Sequence, residues 1–367
     1  MSKNNQNRYV HIIKRNIFIF IILCLFVDLC NFSFIFAYDS NLVQDYINQK
    51  KYQIATIYLE KFVKTNPKDI GIYLLLSDIS SIQNDYNTAI KWLKEGLKID
   101  SRDSRVYEKL GRVYNRMDNY EEALKWLNEG LKIDSNNSDI YKGIGKVYDR
   151  KNNYKEAIIW FKKAIKINPG NGELYKEIGR TWGVMGNYRE AIKWLEEGLR
   201  INPRYSGIYE TLGRTYERMG SYDEALLWLK KGLAVDSRNS DIYYNLGRVY
   251  NDLGLYEESV KWLRLAIAED PYYTCPYEGL GMLYLKQGKA KEAEESFKKA
   301  TQINPDIEYK KYNGLAKIYI KQGKLKEAKE LLEKSTKNYP YDNEAKDLLK
   351  EIQSRDKFFA TKLDDNF

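Results

Sequence analysis

The chain has 367 residues, of which 43% are hydrophobic and 30% are charged, and its formal net charge is +9. This composition supplies enough apolar surface for burial, which excludes a chain that is disordered throughout. The only histidine is His11, and two of the three cysteines also lie within the first 37 residues. If that segment is removed, no imidazole remains, which excludes His-based acid–base catalysis and most metal sites.

Residues 1–37 are predicted to direct export. Basic residues within the first 16 positions precede an uninterrupted apolar run, residues 17–27, and a small residue follows at Ala37. This order is typical of a secretory signal that is cleaved before Tyr38. The alternative is an uncleaved membrane anchor over residues 17–37, since about 20 apolar residues span a bilayer. Both interpretations place the remaining chain outside the cytoplasm, because the positive charges precede the apolar segment.

A sequence of the type Gly-Arg-Val-Tyr, first seen at residues 111–114, returns every 34 residues as far as residue 284. A fixed period of this length indicates stacked supersecondary units. Apolar residues recur at helical spacing within each unit and are interrupted midway by Gly or Asn, which predicts two helices per unit. Self-alignment over residues 38–342 gives nine units: 36–69, 70–103, 104–137, 138–171, 172–205, 206–239, 240–273, 274–308 and 309–342. Residues 343–355 are predicted to form a capping helix, and residues 356–367 a tail without periodicity.

Small residues recur at positions 8, 20 and 27 of a unit, as Gly111, Ala123 and Gly130 show, and tyrosine recurs at positions 4, 11 and 17. Proline or serine stops the second helix of each unit. This pattern resembles the tetratricopeptide repeat (TPR) family over about residues 40–342. The resemblance implies an all-α fold, a right-handed superhelix (solenoid) of about nine helix-turn-helix repeats. It also implies that the first helices line a concave groove that binds peptides or protein surfaces.

Position 9 of the first helix is predicted to face away from the core, because helical periodicity of about 100° per residue places it opposite positions 4, 7, 8 and 11. Five successive repeats carry a cation there, and further cations share that face. The predicted partner-binding residues are Arg112, Arg116, Lys142, Lys146, Arg150, Lys176, Arg180, Arg214, Arg218 and Arg248. Such a ladder suits an extended acidic segment, since guanidinium groups bind carboxylates in a forked geometry.

The alternative is a solvated face that its own glutamates neutralise. Glu108 and Glu210 each lie one turn before a ladder arginine, a favourable intrahelical spacing. Against that alternative, Lys142 and Lys146 stand four residues apart with like charge, which predicts a mild destabilisation. The sequence leaves both interpretations open.

Enzyme motifs are absent from the sequence: it has no phosphate-binding Gly-rich loop, metal-ligand cluster or nucleophile elbow, so we expect neither catalysis nor a cofactor nor a small-molecule substrate. The predicted function is an exported, non-catalytic scaffold that binds an acidic protein segment. One alternative is a membrane-anchored assembly factor of an envelope, pilus or secretion machine. The other is an RNA-binding helical-repeat protein, against which the export signal and the modest charge argue. The tryptophans at position 23 and the lone Cys275 are expected to be packing residues and an inert thiol.

Overall fold

The computed structural model describes residues 38–303 and 309–364, with side chains omitted at residues 309–311 and beyond residue 354. The predicted export segment, residues 1–37, lies outside the described residues, so its cleavage stays a prediction. Among the described residues, no helix combines the length and apolar character needed to cross a membrane.

The described regular structure is entirely α-helical, which confirms the predicted fold class. Nine consecutive pairs of helices are followed by one last helix. In chain order they are α1 Ser40–Asn48, α2 Tyr52–Thr65, α3 Ile70–Ile82, α4 Tyr86–Ile99, α5 Ser104–Arg116, α6 Tyr120–Ile133, α7 Ser138–Arg150, α8 Tyr154–Ile167, α9 Gly172–Val184, α10 Tyr188–Ile201, α11 Ser206–Arg218, α12 Tyr222–Val235, α13 Ser240–Asp252, α14 Tyr256–Glu269, α15 Thr274–Lys286, α16 Ala290–Ile303, α17 Tyr309–Lys321, α18 Leu325–Asn338 and α19 Asn343–Asp364.

The turn inside each pair depends on a residue in the left-handed region. Gly220 has φ +76°, and Asn152 adopts the same conformation at φ +58°. Glycine and asparagine tolerate this region better than other residues and occupy it in most pairs, whereas Lys50 and Asp118 occupy it in two others. After the turn, the Asn153 side chain accepts a hydrogen bond from the backbone N–H of Glu156 and caps the second helix.

Close approach of the two helices in a pair requires glycine at position 8. A Cβ atom built on Gly213 would lie 2.5 Å from Cγ of Leu229, and one built on Gly145 would lie 2.5 Å from Cε1 of Phe161. Leu229 and Phe161 are fully buried. The small residue at position 8 therefore lets a large side chain from the second helix fill the centre of the pair.

Tyrosine at position 4 connects one repeat to the end of the preceding repeat. The Tyr175 hydroxyl donates to the Pro169 carbonyl at 3.2 Å, and its ring lies 6.1 Å from the Trp194 ring. The same hydroxyl-to-carbonyl bond recurs at Tyr209 with Pro203, at 3.0 Å. The position-23 tryptophans thus make ring contacts inside the repeats, in agreement with a packing role.

The chain divides into two compact units between Ser135 and Asn136. In the first unit α3 contacts α5, and in the second unit the first helices contact one another from α9 through α17; each first helix also contacts its own second helix. In the second unit, α19 caps the last pair by burying Ala345 and Ile352 against the cluster that contains Leu332. This helix runs to Asp364 and so extends into the predicted tail, beyond the predicted cap of residues 343–355.

Candidate functional site

The first-helix face, meaning the outward surface of the first helices at positions 2, 5, 6, 9, 12 and 13, carries all ten predicted partner-binding residues. In the first unit it carries Arg112 and Arg116, on α5. Asp78, from the first helix of the preceding repeat, accepts hydrogen bonds from Lys109 at 2.6 Å and from Arg112 at 2.8 Å. Arg116 donates to the backbone carbonyl of Ser81 at 3.3 Å. Each of these two arginines is therefore held by a group from the preceding repeat.

In the second unit, the cations of α7 and α9 are paired with carboxylates across the repeat boundary. Glu173 of α9 accepts from Lys142 and from Lys146 of α7, both at 2.9 Å. Arg180 of α9 reaches back to Asp149 of α7 at 2.7 Å. We call this group the paired cluster; its members are Lys142, Lys146, Asp149, Glu173, Lys176, Glu177 and Arg180.

Glu177 lies at the centre of the paired cluster and is only 6% exposed. Its carboxylate is 3.1 Å from Nε of Arg180, 3.5 Å from Lys146 and 3.7 Å from Lys176. Burial by itself would raise the pKa of Glu177, but the three cations outweigh it and lower the pKa. The same competition, between burial and the ammonium groups of Lys146 and Lys142, sets the pKa of Glu173 at about 2.

The sequence predicts repulsion between Lys142 and Lys146, but in the structure a carboxylate lies between them and offsets it. Glu173 accepts a hydrogen bond from each lysine, so the like charges share one counter-ion. The carboxylate comes from the next repeat, 31 residues after Lys142 and 27 residues after Lys146. In a 34-residue repeat, residues about 27 to 31 positions apart on first helices come together when those helices lie side by side. Comparing charges at these separations would have revealed the pairs, whereas comparing charges within one helix did not.

The cations of α11 and α13 are less completely paired. Arg214 lies 3.3 Å from Glu210, and Arg248 lies 2.8 Å from Glu217. Neither carboxyl oxygen of Glu217 accepts a hydrogen bond. Its contact with Arg248 is therefore a salt bridge in which the N–H groups do not point at the carboxylate. Burial raises the pKa of both Glu210 and Glu217, and the arginines only partly oppose it.

Arg218 differs from the other arginines of this surface. Its side chain is exposed, and within the described part of the chain it forms no salt bridge. Partial burial and the nearby guanidinium groups of Arg214 and Arg248 lower the pKa of Arg218. We call Arg214, Arg218 and Arg248 the arginine cluster. The three guanidinium groups thus lie close enough together to disfavour one another's charge, in addition to the effect of burial.

Two carboxylates of the first-helix face, those of Glu177 and Glu217, lie deeper than the nearby arginines, whereas Asp139 and Asp252 on the same face are exposed. The Glu177 and Glu217 side chains are 8% and 4% exposed, whereas those of Arg214 and Arg248 are 36% and 41% exposed. Around Glu177 and Glu217, solvent therefore meets the guanidinium groups before the carboxylates. Each guanidinium has five N–H donors, and the ion pairs of Arg214 and Arg248 use only some of them.

The structure thus brings seven of the predicted residues into two groups in the second unit: Lys142, Lys146, Lys176 and Arg180 in the paired cluster, and Arg214, Arg218 and Arg248 in the arginine cluster. Arg150 is exposed at the end of α7. Arg112 and Arg116 belong to the first unit.

Four family profiles, each described as "Tetratricopeptide repeat", match residues 70–103 and 184–205, 102–170, 210–274, and 284–352. The chain belongs to the tetratricopeptide repeat family. Members of this TPR family are in general non-catalytic scaffolds for protein–protein interaction, and the helix pairs described above have that architecture. No curated protein matches the chain.

Solved TPR structures share the fold. A chain of the APC/C hetero-tetramer Cut9–Hcn1 matches with TM-score 0.54 and 17% identity, over 82% of this chain and 59% of that one. A TPR protein from Parabacteroides merdae ATCC 43184 matches with TM-score 0.51 and 20% identity, over 67% of this chain and 98% of that one. PilW, a type IV pilus biogenesis factor, matches with TM-score 0.49 and 20% identity, over 58% and 98%. The chain thus spans less than two thirds of the Cut9–Hcn1 chain that it matches.

Proposed function

We propose that this TPR protein is an exported, non-catalytic scaffold that binds an extended acidic segment of a partner protein on the first-helix face of its second unit. The observation that carries the proposal is the layering of charge on that face. Glu177 and Glu217 form a buried layer, the more exposed Arg214 and Arg248 lie above it, and Arg218 forms no salt bridge among the described residues. An acidic segment supplies the carboxylates that the arginine cluster lacks.

The two groups of cations have different parts in this proposal. The paired cluster uses its cations to join α7 to α9, so it contributes mainly to stability and little to binding. The arginine cluster keeps unused guanidinium donors at the surface, so it makes the direct contacts with the carboxylates of the ligand. Since exposed charges are screened over about 8 Å at physiological ionic strength, we expect the affinity to fall as salt is added.

Export is proposed on the basis of residues 1–37, whose basic and apolar parts are typical of a signal. If the segment is retained, the same scaffold is held at a membrane, as in the assembly-factor alternative. N-terminal sequencing of the protein isolated from its native envelope distinguishes the two, because cleavage leaves Tyr38 or a nearby residue as the first one. A protein recovered from the cytoplasm with Met1 intact would contradict export.

The binding mechanism is tested with a fluorescein-labelled 16-residue peptide of alternating Glu and Ser, titrated with the full chain and followed by anisotropy. The Arg214→Glu/Arg218→Glu variant is expected to bind at least tenfold more weakly, because two attractive contacts become repulsive. The matched control is Arg189→Glu/Arg204→Glu, which changes the net charge equally at two exposed arginines of α10 and of the turn before α11.

The control variant is expected to keep affinity within about threefold of the wild type, since distant surface charges are screened. Equal losses in the two variants would show that only net charge matters and would overturn the assigned site. A labelled single-stranded RNA of equal length is the third probe. If RNA binds more tightly than the acidic peptide, the proposed protein ligand is wrong.

A further inference from the structure

The row of cations at position 9 of the first-helix face is interrupted by an apolar residue at α15. Position 9 is a cation in the four preceding repeats of the second unit, at Lys146, Arg180, Arg214 and Arg248, but α15 has Met282 there. The Met282 side chain is 45% exposed, although nothing in the helix prevents a charged residue at this outward position. Met282 thus interrupts the row, which resumes with Lys317 at position 9 of α17.

A cavity of about 740 Å³ opens beside Met282, between α15, α17 and the turn that leads to α19. We call it the terminal cavity. Its wall is formed mainly by Met282, Gly314, Tyr339, Pro340 and Tyr341. Three charged residues also line the cavity: Lys317 and Glu344 form a salt bridge with each other, and Asp342 is buried in hydrogen bonds, so the exposed part of the wall is mainly apolar. This volume lies within the range of about 300–1,000 Å³ that is usual for ligand pockets.

The turn that forms one side of the terminal cavity is held by buried hydrogen bonds. Asp342, 5% exposed, accepts from the Ser335 hydroxyl at 2.7 Å, from Asn313 Nδ2 at 3.0 Å and from the backbone N–H of Ala345 at 3.1 Å. Next to it, the Tyr341 side chain is 93% exposed. The cavity is thus preformed and has an aromatic side chain at its rim, which lowers the cost of binding.

The terminal cavity and the arginine cluster occupy equivalent places on one surface. Gly314 and Lys317 stand at positions 6 and 9 of α17, as Thr211 and Arg214 do in α11. Successive first helices of the second unit contact one another from α11 through α17. A single extended segment that crosses these helices therefore meets the arginine cluster first and the cavity next.

We propose that the terminal cavity binds a large apolar side chain, Phe, Leu or Trp, of the same extended acidic segment. This inference rests on the proposed function. Contacting helices are separated by roughly 10 Å, so the cavity between Met282 and Lys317 lies about 15 Å from the Arg248 position. An extended chain advances about 3.4 Å per residue, so the apolar anchor stands about four to five residues from the nearest acidic contact.

Three labelled 16-residue peptides test the inference on the full chain. The first has a Glu–Ser block with a Phe five residues beyond the last Glu, the second has Ala in place of that Phe, and the third keeps the Phe but has Ser in place of every Glu. We expect the Phe-containing acidic peptide to bind about tenfold more tightly than its Ala counterpart, because one aromatic side chain is buried.

Two substitutions in the lining, Met282→Ser and Tyr341→Ser, probe the cavity itself. Both side chains are exposed, so both variants are expected to fold. Each should reduce the affinity for the Phe-containing acidic peptide about threefold to tenfold and leave the Ala peptide unchanged. The matched control is Tyr272→Ser: Tyr272 occupies the same place in the turn before α15 and is 66% exposed, but it does not line the cavity.

Equal binding of the Phe and Ala peptides, or equal weakening of both by Tyr341→Ser, would overturn the anchor site. The proposed function survives that result if the Arg214→Glu/Arg218→Glu variant still loses affinity for the Ala peptide. Conversely, a Phe-dependent gain that Tyr341→Ser abolishes, together with no effect of the arginine substitutions, supports the cavity and refutes the acidic ligand.

Discussion

The paired cluster of α7 and α9 and the arginine cluster of α11 and α13 are built on the same repeat, but they manage charge differently. In the paired cluster, Glu177 has three cations around it and its pKa is lowered. In the arginine cluster, Glu217 is equally buried, makes no hydrogen bond, and has a raised pKa. The first group is saturated with internal partners, whereas the second keeps an unpaired Arg218.

A row of cations in a repeat sequence can therefore contain two kinds of residue. Lys142 and Lys146 are counter-ions for Glu173 and help to hold one repeat against the next. Arg214 and Arg218 form fewer salt bridges between repeats and leave more of their guanidinium groups exposed to solvent. Substitutions in the first group should therefore act mainly on stability, and substitutions in the second group mainly on binding.

The largest expected effect is a loss of stability when the central carboxylate of the paired cluster is removed. Glu177→Gln removes a buried counter-ion that Lys146, Lys176 and Arg180 share; Lys146 keeps Glu173 and Arg180 keeps Asp149, but Lys176 is left partly buried without a salt bridge. We expect a loss of about 3 kcal/mol in the free energy of unfolding, measured by urea denaturation. The control is Glu196→Gln on α10, which is exposed and should change the free energy by less than about 0.5 kcal/mol. Similar values for the two variants would mean that the paired cluster does not stabilise the repeats.

Acidification should affect α9 and α11 in opposite directions. The pKa of Glu173 is lowered from 4.5 to about 2, so its contribution is present above pH 4.5 and is lost as the pH falls from 4.5 towards 2. The pKa values of Glu210 and Glu217 are raised above 4.5, so their contribution is present below pH 4.5 and is lost as the pH rises through their folded-state pKa values.

Hydrogen exchange of the two helices at pH 7, 5 and 3.5, corrected for intrinsic rates, measures this contrast. Protection of α9 amides should fall between pH 5 and 3.5 by more than protection of α11 amides. A parallel loss in both helices would show that the two clusters respond alike to protonation.

The smallest expected effect is that of Glu217→Gln. Because burial already disfavours the charged form of Glu217, a neutral group of the same shape should change the free energy of unfolding by less than about 1 kcal/mol. Removal of this carboxylate also frees Arg248, so the acidic peptide should bind slightly more tightly. Urea denaturation and anisotropy check the two effects, and a destabilisation as large as that of Glu177→Gln would remove the distinction between the clusters.

The fold was predictable from the sequence because each local signal agrees with the 34-residue period. Gly213 permits the close approach of Leu229, Gly220 adopts the left-handed turn, and Pro169 accepts the tyrosine hydrogen bond that joins two repeats. The end of α19 was not predictable in the same way, because no glycine or proline follows residue 355 to stop the helix there.

For the candidate site, the sequence predicted which residues share a helix face but not which groups pair with one another. Helical periodicity places Arg180 and Arg214 on one face, and both lie there in the structure. Their partners depend on how two repeats are offset, which a single helix does not contain. For this reason the pairing of Lys146 with Glu173 and the lack of a carboxylate partner at Arg218 emerged only from three-dimensional geometry.

The central claim, recognition by charge at the arginine cluster, is tested most directly by reversing the charge of both sides. The Arg214→Glu/Arg218→Glu variant and the wild type are each titrated with the Glu–Ser peptide and with a Lys–Ser peptide of equal length. The account predicts that the variant loses the acidic peptide and gains measurable affinity for the basic one, while Arg189→Glu/Arg204→Glu keeps the wild-type preference. Loss of the acidic peptide without any gain for the basic peptide would contradict the account, because the loss would then reflect damage to the surface and not its charge.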